Sequence, residues 1–142
     1  MNNSEGSESS CTQRGEIYNP KRAGQLRDFS GLRFGKITPT DIDGFIDFRN
    51  KLHIYIEAKY EDTELWHGQR LALERICDNC KIPCTVVVVS HRQPVNEMID
   101  FANADVIEYR WERKWHHVTR PATCREFIEA MLIHCKIVIG DE

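Results

Sequence analysis

DIDGFIDFRNKLHIYIEAK, residues 41–59, is the stretch on which the reading of the fold turns. Ile42, Ile46 and Phe48 precede Arg49-Asn50-Lys51, and Leu52, Ile54 and Ile56 follow it, so apolar residues alternate with polar ones on both sides of a short polar break. That pattern predicts a β-hairpin. With a loop of Arg49 to Lys51, the numbers of facing residues sum to about 100, which sets Asp43 against Glu57, Phe45 against Tyr55 and Asp47 against His53. The even positions then form one apolar, core-facing surface, and the odd positions carry the polar chemistry.

On the odd face, Glu57 and Lys59 are two residues apart and point the same way, and Asp43 opposite Glu57 would bring the two Cβ atoms to roughly 5 Å. Carboxylates held that close repel one another, so they share a proton or a cation. Hard oxygen ligands favour Mg²⁺ or Mn²⁺. A lysine beside such a cation can hold or polarise a water or a phosphate oxygen, which is the equipment that hydrolysis of a phosphodiester needs.

Asp43 with Glu57-Ala58-Lys59 resembles the signature of the PD-(D/E)XK nuclease superfamily, an Asp near the start of one strand and Glu-x-Lys on the next. The run Pro39-Thr40-Asp41-Ile42-Asp43-Gly44, followed by Gly68-Gln69-Arg70-Leu71-Ala72-Leu73-Glu74-Arg75, is similar to small phage and prophage proteins of that superfamily. The resemblance covers about residues 31–91. It implies an α/β, restriction-endonuclease-like core, a central mixed β-sheet flanked by helices in the order αβββαβ. It further implies a Mg²⁺- or Mn²⁺-dependent nuclease, a hydrolase acting on DNA ahead of RNA. Asp43, Glu57 and the Ala58 carbonyl would hold the metal, and Asp43, Glu57, Lys59 and Gln69 would be the catalytic set.

The 142 residues, 41% hydrophobic and 29% charged, suffice for one domain, expected over 16–142. Residues 1–15 are nearly free of apolar side chains and are expected to form a disordered tail. A net charge of −3 argues against a protein that coats nucleic acid, though not against an enzyme with one basic face. There is no signal-like N-terminus and no apolar run near the length of a membrane span, so a soluble, cytoplasmic protein without membrane partners is expected, in the host cytoplasm if phage-encoded. Six cysteines without a secretory signal are expected to be free thiols.

Pro20 to Gly31 suits a short helix, with Glu16 and Asp28 the acidic residues near it and neither assigned as a ligand. Arg33 to Thr38 is expected to be a further strand or an extended entry to the hairpin, ending at Pro39, with Arg33 and Lys36 as phosphate contacts or as a solvated edge. A helix is expected from about Leu65 to Cys80, with Gln69 on its apolar stripe, where a polar side chain needs a partner such as Lys59, water or a phosphate. Cys84 to His91 is a β-branched run expected to lie parallel to Leu52 to Lys59. Asp105 to Trp111 reads as another strand and Thr123 to Cys135 as a second helix. Arg113, Lys114 and Trp115 form a basic and aromatic run that either stacks on and clamps nucleic acid or buries Trp115 under a charged turn.

Cys77, Cys80 and Cys84 have partial zinc spacing, but a second short ligand pair is missing and two of the three fall on the helix's apolar stripe. They are expected to pack, with no zinc. Three classes of function remain: a Mg²⁺-dependent nuclease, a catalytically weak nucleic-acid-binding protein, and a protein that uses this fold to engage a host or phage protein. The intact Asp, Glu and Lys set favours the first. Oligomeric state, a homodimer included, and the mode of cleavage stay open.

Overall fold

The computed structural model describes residues 21, 27–61 and 63–140. The expected tail, Glu16 and most of the helix expected from Pro20 lie outside those residues. By internal packing the chain divides into two units, Met1–Pro39 and Thr40–Glu142. In the first, Ser30–Leu32 forms a 3-10 turn. Arg33 to Thr38 does not form the expected strand. Phe34 and Ile37 bridge each other across a tight turn in which Gly35 adopts φ 64°, so the segment doubles back on itself.

The second unit is α/β, a five-stranded mixed open sheet with two helices. In chain order it comprises β1 (Gly44–Asp47), β2 (His53–Tyr60), α1 (His67–Asp78), β3 (Cys84–His91), β4 (Asp105–Trp111), β5 (Lys114–His117) and α2 (Cys124–His134). The strands stand in sequence order across the sheet. Among the described residues only β2 and β3 pair in parallel, because α1 carries the chain back between them, while tight turns make β1–β2 and β4–β5 antiparallel. Three further elements depart from the sequence reading, and so does the order: with Arg33 to Thr38 not a strand, two strands rather than the three of the expected αβββαβ order precede α1 among the described residues, and three follow it. Lys114–His117, part of the run read as basic and aromatic, is an edge strand, and both helices are a little shorter than expected.

The hairpin has the register that its alternation dictates, with Gly44 opposite Ile56, Phe45 opposite Tyr55 and Asp47 opposite His53. Its turn is closed by the Lys51 N–H donating to the Phe48 carbonyl at 3.0 Å and the Phe48 N–H donating to Leu52 at 2.9 Å. Arg49 and Asn50 both take positive φ, 52° and 62°, the backbone twist that suits a tight connection between right-twisted strands.

Each face of the sheet has its own helix. Leu52, Ile54, Ile56, Val87, Val89 and Val106 pack with Cys124 and Met131 of α2. On the opposite face Val86 and Val88 pack with Leu65 and with Leu73 and Cys77 of α1, and Tyr55 and Trp115 lie against that cluster. α2 is started by a reciprocal cap, in which the Thr123 side chain accepts from the Glu126 N–H while the Glu126 carboxylate accepts from the Thr123 N–H. Among the described residues, no helix is long and apolar enough to cross a membrane.

Candidate functional site

The polar face of β2 meets the first turn of α1. Glu57 is 4% exposed, and its neighbour two residues on, Lys59, reaches back to it with Nζ 3.4 Å from Oε1. Gln69 closes the triangle. Its Nε2 donates to Glu57 Oε1 at 2.6 Å, and its Oε1 accepts from Lys59 Nζ at 2.9 Å. Gln69 stands on the buried stripe of α1, and its place in the first turn of the helix, directly after the loop from β2, brings the amide over the strand.

Asp43 sits immediately before β1, and its Oδ2 accepts from the Ala58 N–H at 2.8 Å. That bond ties Asp43 to the residue between Glu57 and Lys59. The three ionisable groups and the amide are therefore connected through hydrogen bonds across β1, β2 and α1.

Glu57 carries the electrostatic load of this arrangement. Burial, and then the Asp43 carboxylate, push its pKa up from about 4.5 to about 7, against the opposing pull of Lys59 and Gln69. Its second oxygen, Oε2, is buried without a hydrogen-bond partner. An orphaned carboxylate oxygen beside a second carboxylate fits a hard cation, which would satisfy the oxygen and remove the repulsion. Asp43, Glu57 and the Ala58 carbonyl are the residues that would hold it. Among the described residues, no group of three or more His, Cys, Asp and Glu could hold a metal, so substrate and water oxygens would have to supply much of a shell here, as is common for Mg²⁺.

The remaining sequence candidates fall elsewhere. Asp47 faces His53, with Oδ1 3.2 Å from Nε2, and also accepts from the Asn50 N–H at 2.7 Å, so it braces the turn end of the hairpin. Arg33 and Lys36 are exposed and belong to the first unit, where Arg33 Nε donates to the Gly35 carbonyl at 2.9 Å. Trp115 is half-buried on the α1 face. Its Nε1 donates to Glu74 Oε1 at 2.7 Å, and the guanidinium groups of Arg70 and Arg110 lie 4.5 and 5.7 Å from its ring centroid. The aromatic is thus engaged by the protein's own cations. Lys114 beside it is exposed, and Arg113, at φ 64° in the β4–β5 turn, donates to the Asp78 carbonyl at 3.2 Å.

The thiols pack near the C-terminal end of α1. Cys77 Sγ donates to the Cys84 carbonyl at 3.1 Å, and Cys80 Sγ lies 3.7 Å from His53 Nδ1. The adjacent Cys77 thiol, together with burial, drives the Cys84 pKa far upward, so Cys84 is a neutral thiol.

A polar network not anticipated from sequence runs along α1. Arg70 pairs with Glu108 at 2.5 Å, and Arg110 makes a two-pronged contact with Asp78 at 2.7 and 3.1 Å. The available signal was Arg70 following Gln69 in the helix, but its partner on β4 lies 38 residues away and no local pattern points to it.

Comparison with protein-family models, with curated proteins and with solved structures returned no match.

Proposed function

We propose that the protein is a metal-dependent nuclease of PD-(D/E)XK type, hydrolysing phosphodiester bonds of nucleic acid, DNA ahead of RNA, on a restriction-endonuclease-like core. The observation that carries this reading is the buried, orphaned Oε2 of Glu57 beside Asp43, in a cluster that also holds Lys59 and Gln69. A packing or docking role gives no reason to keep two interacting carboxylates and a partnerless oxygen together.

Bound Mg²⁺ or Mn²⁺ would neutralise charge developing on the phosphate and lower the pKa of a water. Asp43 and Glu57 position that charge. Lys59, held by Gln69, presents an ammonium next to Glu57, where it can orient the attacking water or stabilise a phosphate oxygen. Gln69 keeps Lys59 and Glu57 in register with one amide, donating to one and accepting from the other.

The test is incubation of the purified protein with supercoiled plasmid, linear duplex, single strands and RNA in Mg²⁺, Mn²⁺ or EDTA. Cleavage in either metal that stops in EDTA and is lost in Glu57→Gln is expected. Metal-independent cleavage, or full activity in Glu57→Gln, would sink the proposal.

A further inference from the structure

A cavity of about 450 Å³ lies on the same side of the sheet as Glu57, bounded in part by Leu65, Arg70, Val88, Ser90, Glu108 and His117. It is continuous in register with the carboxylate site. Glu57 pairs with Val88, Val88 with Glu108 and Glu108 with His117, while Lys59 pairs with Ser90. With strands about 4.8 Å apart, Glu108 stands about 10 Å from Glu57, roughly the reach from a base edge to its own backbone.

Glu108 is placed there by a backbone irregularity. The ladder between β3 and β4 shifts between Val88 and Val89, so Val106 and Glu108 pair with consecutive residues and Ile107 is the extra one. Without that bulge, Glu108 would share the face of Val106, in the α2 core. The bulge instead turns Glu108 to the cavity side, where both it and Ile107 line the wall. Glu108 is 6% exposed, its Oε1 is held by Arg70 at 2.5 Å, and among the described residues Oε2 faces the exposed His117 ring, 3.8 Å away. Arg70 is itself fixed, since its guanidinium lies over the Trp115 ring.

We propose that this cavity binds one nucleobase bearing an exocyclic amino group, on a nucleotide whose backbone lies at Glu57; the proposal rests on the nuclease reading. Leu65, Val88 and Ile107 give apolar surface for a ring. Glu108 offers an acceptor beside the Arg70 donor, the complement of an amino group next to a ring nitrogen or carbonyl, as in cytosine, adenine and guanine. Thymine and uracil lack that amino donor, and their N3–H lies between two carbonyl oxygens, one of which would be set against the Glu108 carboxylate. A phosphate is disfavoured, because Glu61 and Glu64 join Glu108 in the lining and the charge of the Arg70 guanidinium, though not all of its N–H donors, is already taken up by Glu108. A lysine or arginine side chain from a protein partner would meet the Arg70 cation already seated on Glu108.

The experiment measures binding of the full chain to labelled oligo-dC, oligo-dA, oligo-dT and a base-free strand in EDTA, where metal-dependent cleavage is off. Oligo-dC and oligo-dA should bind about tenfold more tightly than oligo-dT or the base-free strand. Glu108→Gln should remove that preference. Because it also disturbs the Arg70 pair, Thr63→Trp, which fills the cavity from an exposed loop position, provides the second variant and should lower oligo-dC affinity to that of oligo-dT. Equal affinity for all four strands, in a protein that cleaves nucleic acid, overturns the cavity proposal and leaves the nuclease reading standing. Displacement of oligo-dC by a lysine-rich peptide that Thr63→Trp no longer binds assigns the cavity to a basic protein partner and also overturns it. Neither binding nor cleavage of any strand overturns both.

Discussion

Gln69 holds Glu57 and Lys59 with the two ends of one amide, donating to Glu57 Oε1 at 2.6 Å and accepting from Lys59 Nζ at 2.9 Å. Because the bond to Glu57 favours its ionised form, Gln69→Leu removes a hydrogen bond that holds the carboxyl's pKa down, so the pKa rises further. The expected outcome is a fall in kcat of about tenfold to a hundredfold and an acid limb of the pH–rate profile that moves to higher pH. An unshifted limb with lower kcat would mean that Gln69 only packs.

Glu57 also makes stability depend on pH. Its pKa is raised from about 4.5 to about 7, so between those values the folded chain keeps a proton that the unfolded chain has lost. The linkage is therefore negative: metal-free stability declines as pH rises from about 4.5 through about 7, and the loss is complete above that. Glu57→Gln carries no charge to bury and should abolish this share of the decline, visible as a higher Tm than wild type at pH 8 in EDTA. Divalent metal should reverse the order at pH 8 by stabilising wild type alone, and calorimetry in buffers of different ionisation enthalpy should show proton release on binding below pH 7.

Trp115 and Lys114 separate the two readings of the β5 segment. Trp115 bonds Glu74 and carries Arg70 and Arg110 against its ring, so Trp115→Ala should lower Tm by about 5 °C or more. Lys114 is exposed, and Lys114→Ala should leave Tm unchanged. If Lys114 contacts a phosphate, its removal also lowers the salt dependence of nucleic-acid binding by about one unit, which titration at several salt concentrations measures. An unaltered slope would remove Lys114 from the interface.

What sequence made legible was what is local in sequence. Alternation of Ile46, Phe48, Leu52, Ile54 and Ile56 around Arg49 to Lys51 specifies both the hairpin and its register, since a one-residue slip would turn every apolar side chain outward. The β-branched run Cys84 to His91 announces a strand covered on both faces. Glu57, Lys59 and Gln69 could be placed together because a strand, a short loop and a helix start leave little freedom. Long-range partners were not legible. Arg70 and Glu108 meet only because Ile107 bulges, and a single extra residue in a strand has no compositional mark. Arg33 to Thr38 is too short to distinguish a strand from a turn by pattern, and Gly35 at positive φ makes it a turn.

The choice among aspartates follows from the hairpin register. Asp43 and Asp47 have the same parity, yet the structure gives them different work. Asp43 Oδ2 accepts from the Ala58 N–H, next to Glu57, whereas Asp47 is opposite His53 and accepts from the turn at Asn50. Four residues of strand separate them, about 13 Å, too far for one ion to bridge Asp47 and Glu57. Asp43→Asn should therefore abolish metal-dependent cleavage by at least about a thousandfold while the protein stays folded, since the amide oxygen can still accept from Ala58 and only the charge is lost. Asp47→Asn should cleave like wild type within about twofold, at a cost of no more than about 1 kcal/mol in stability from the weakened His53 contact. Activity of both variants on one DNA substrate, with Tm as the control for folding, decides the matter. An active Asp43→Asn, or a folded but inactive Asp47→Asn, would move the metal to the turn end of the hairpin and dismantle the site built around Glu57.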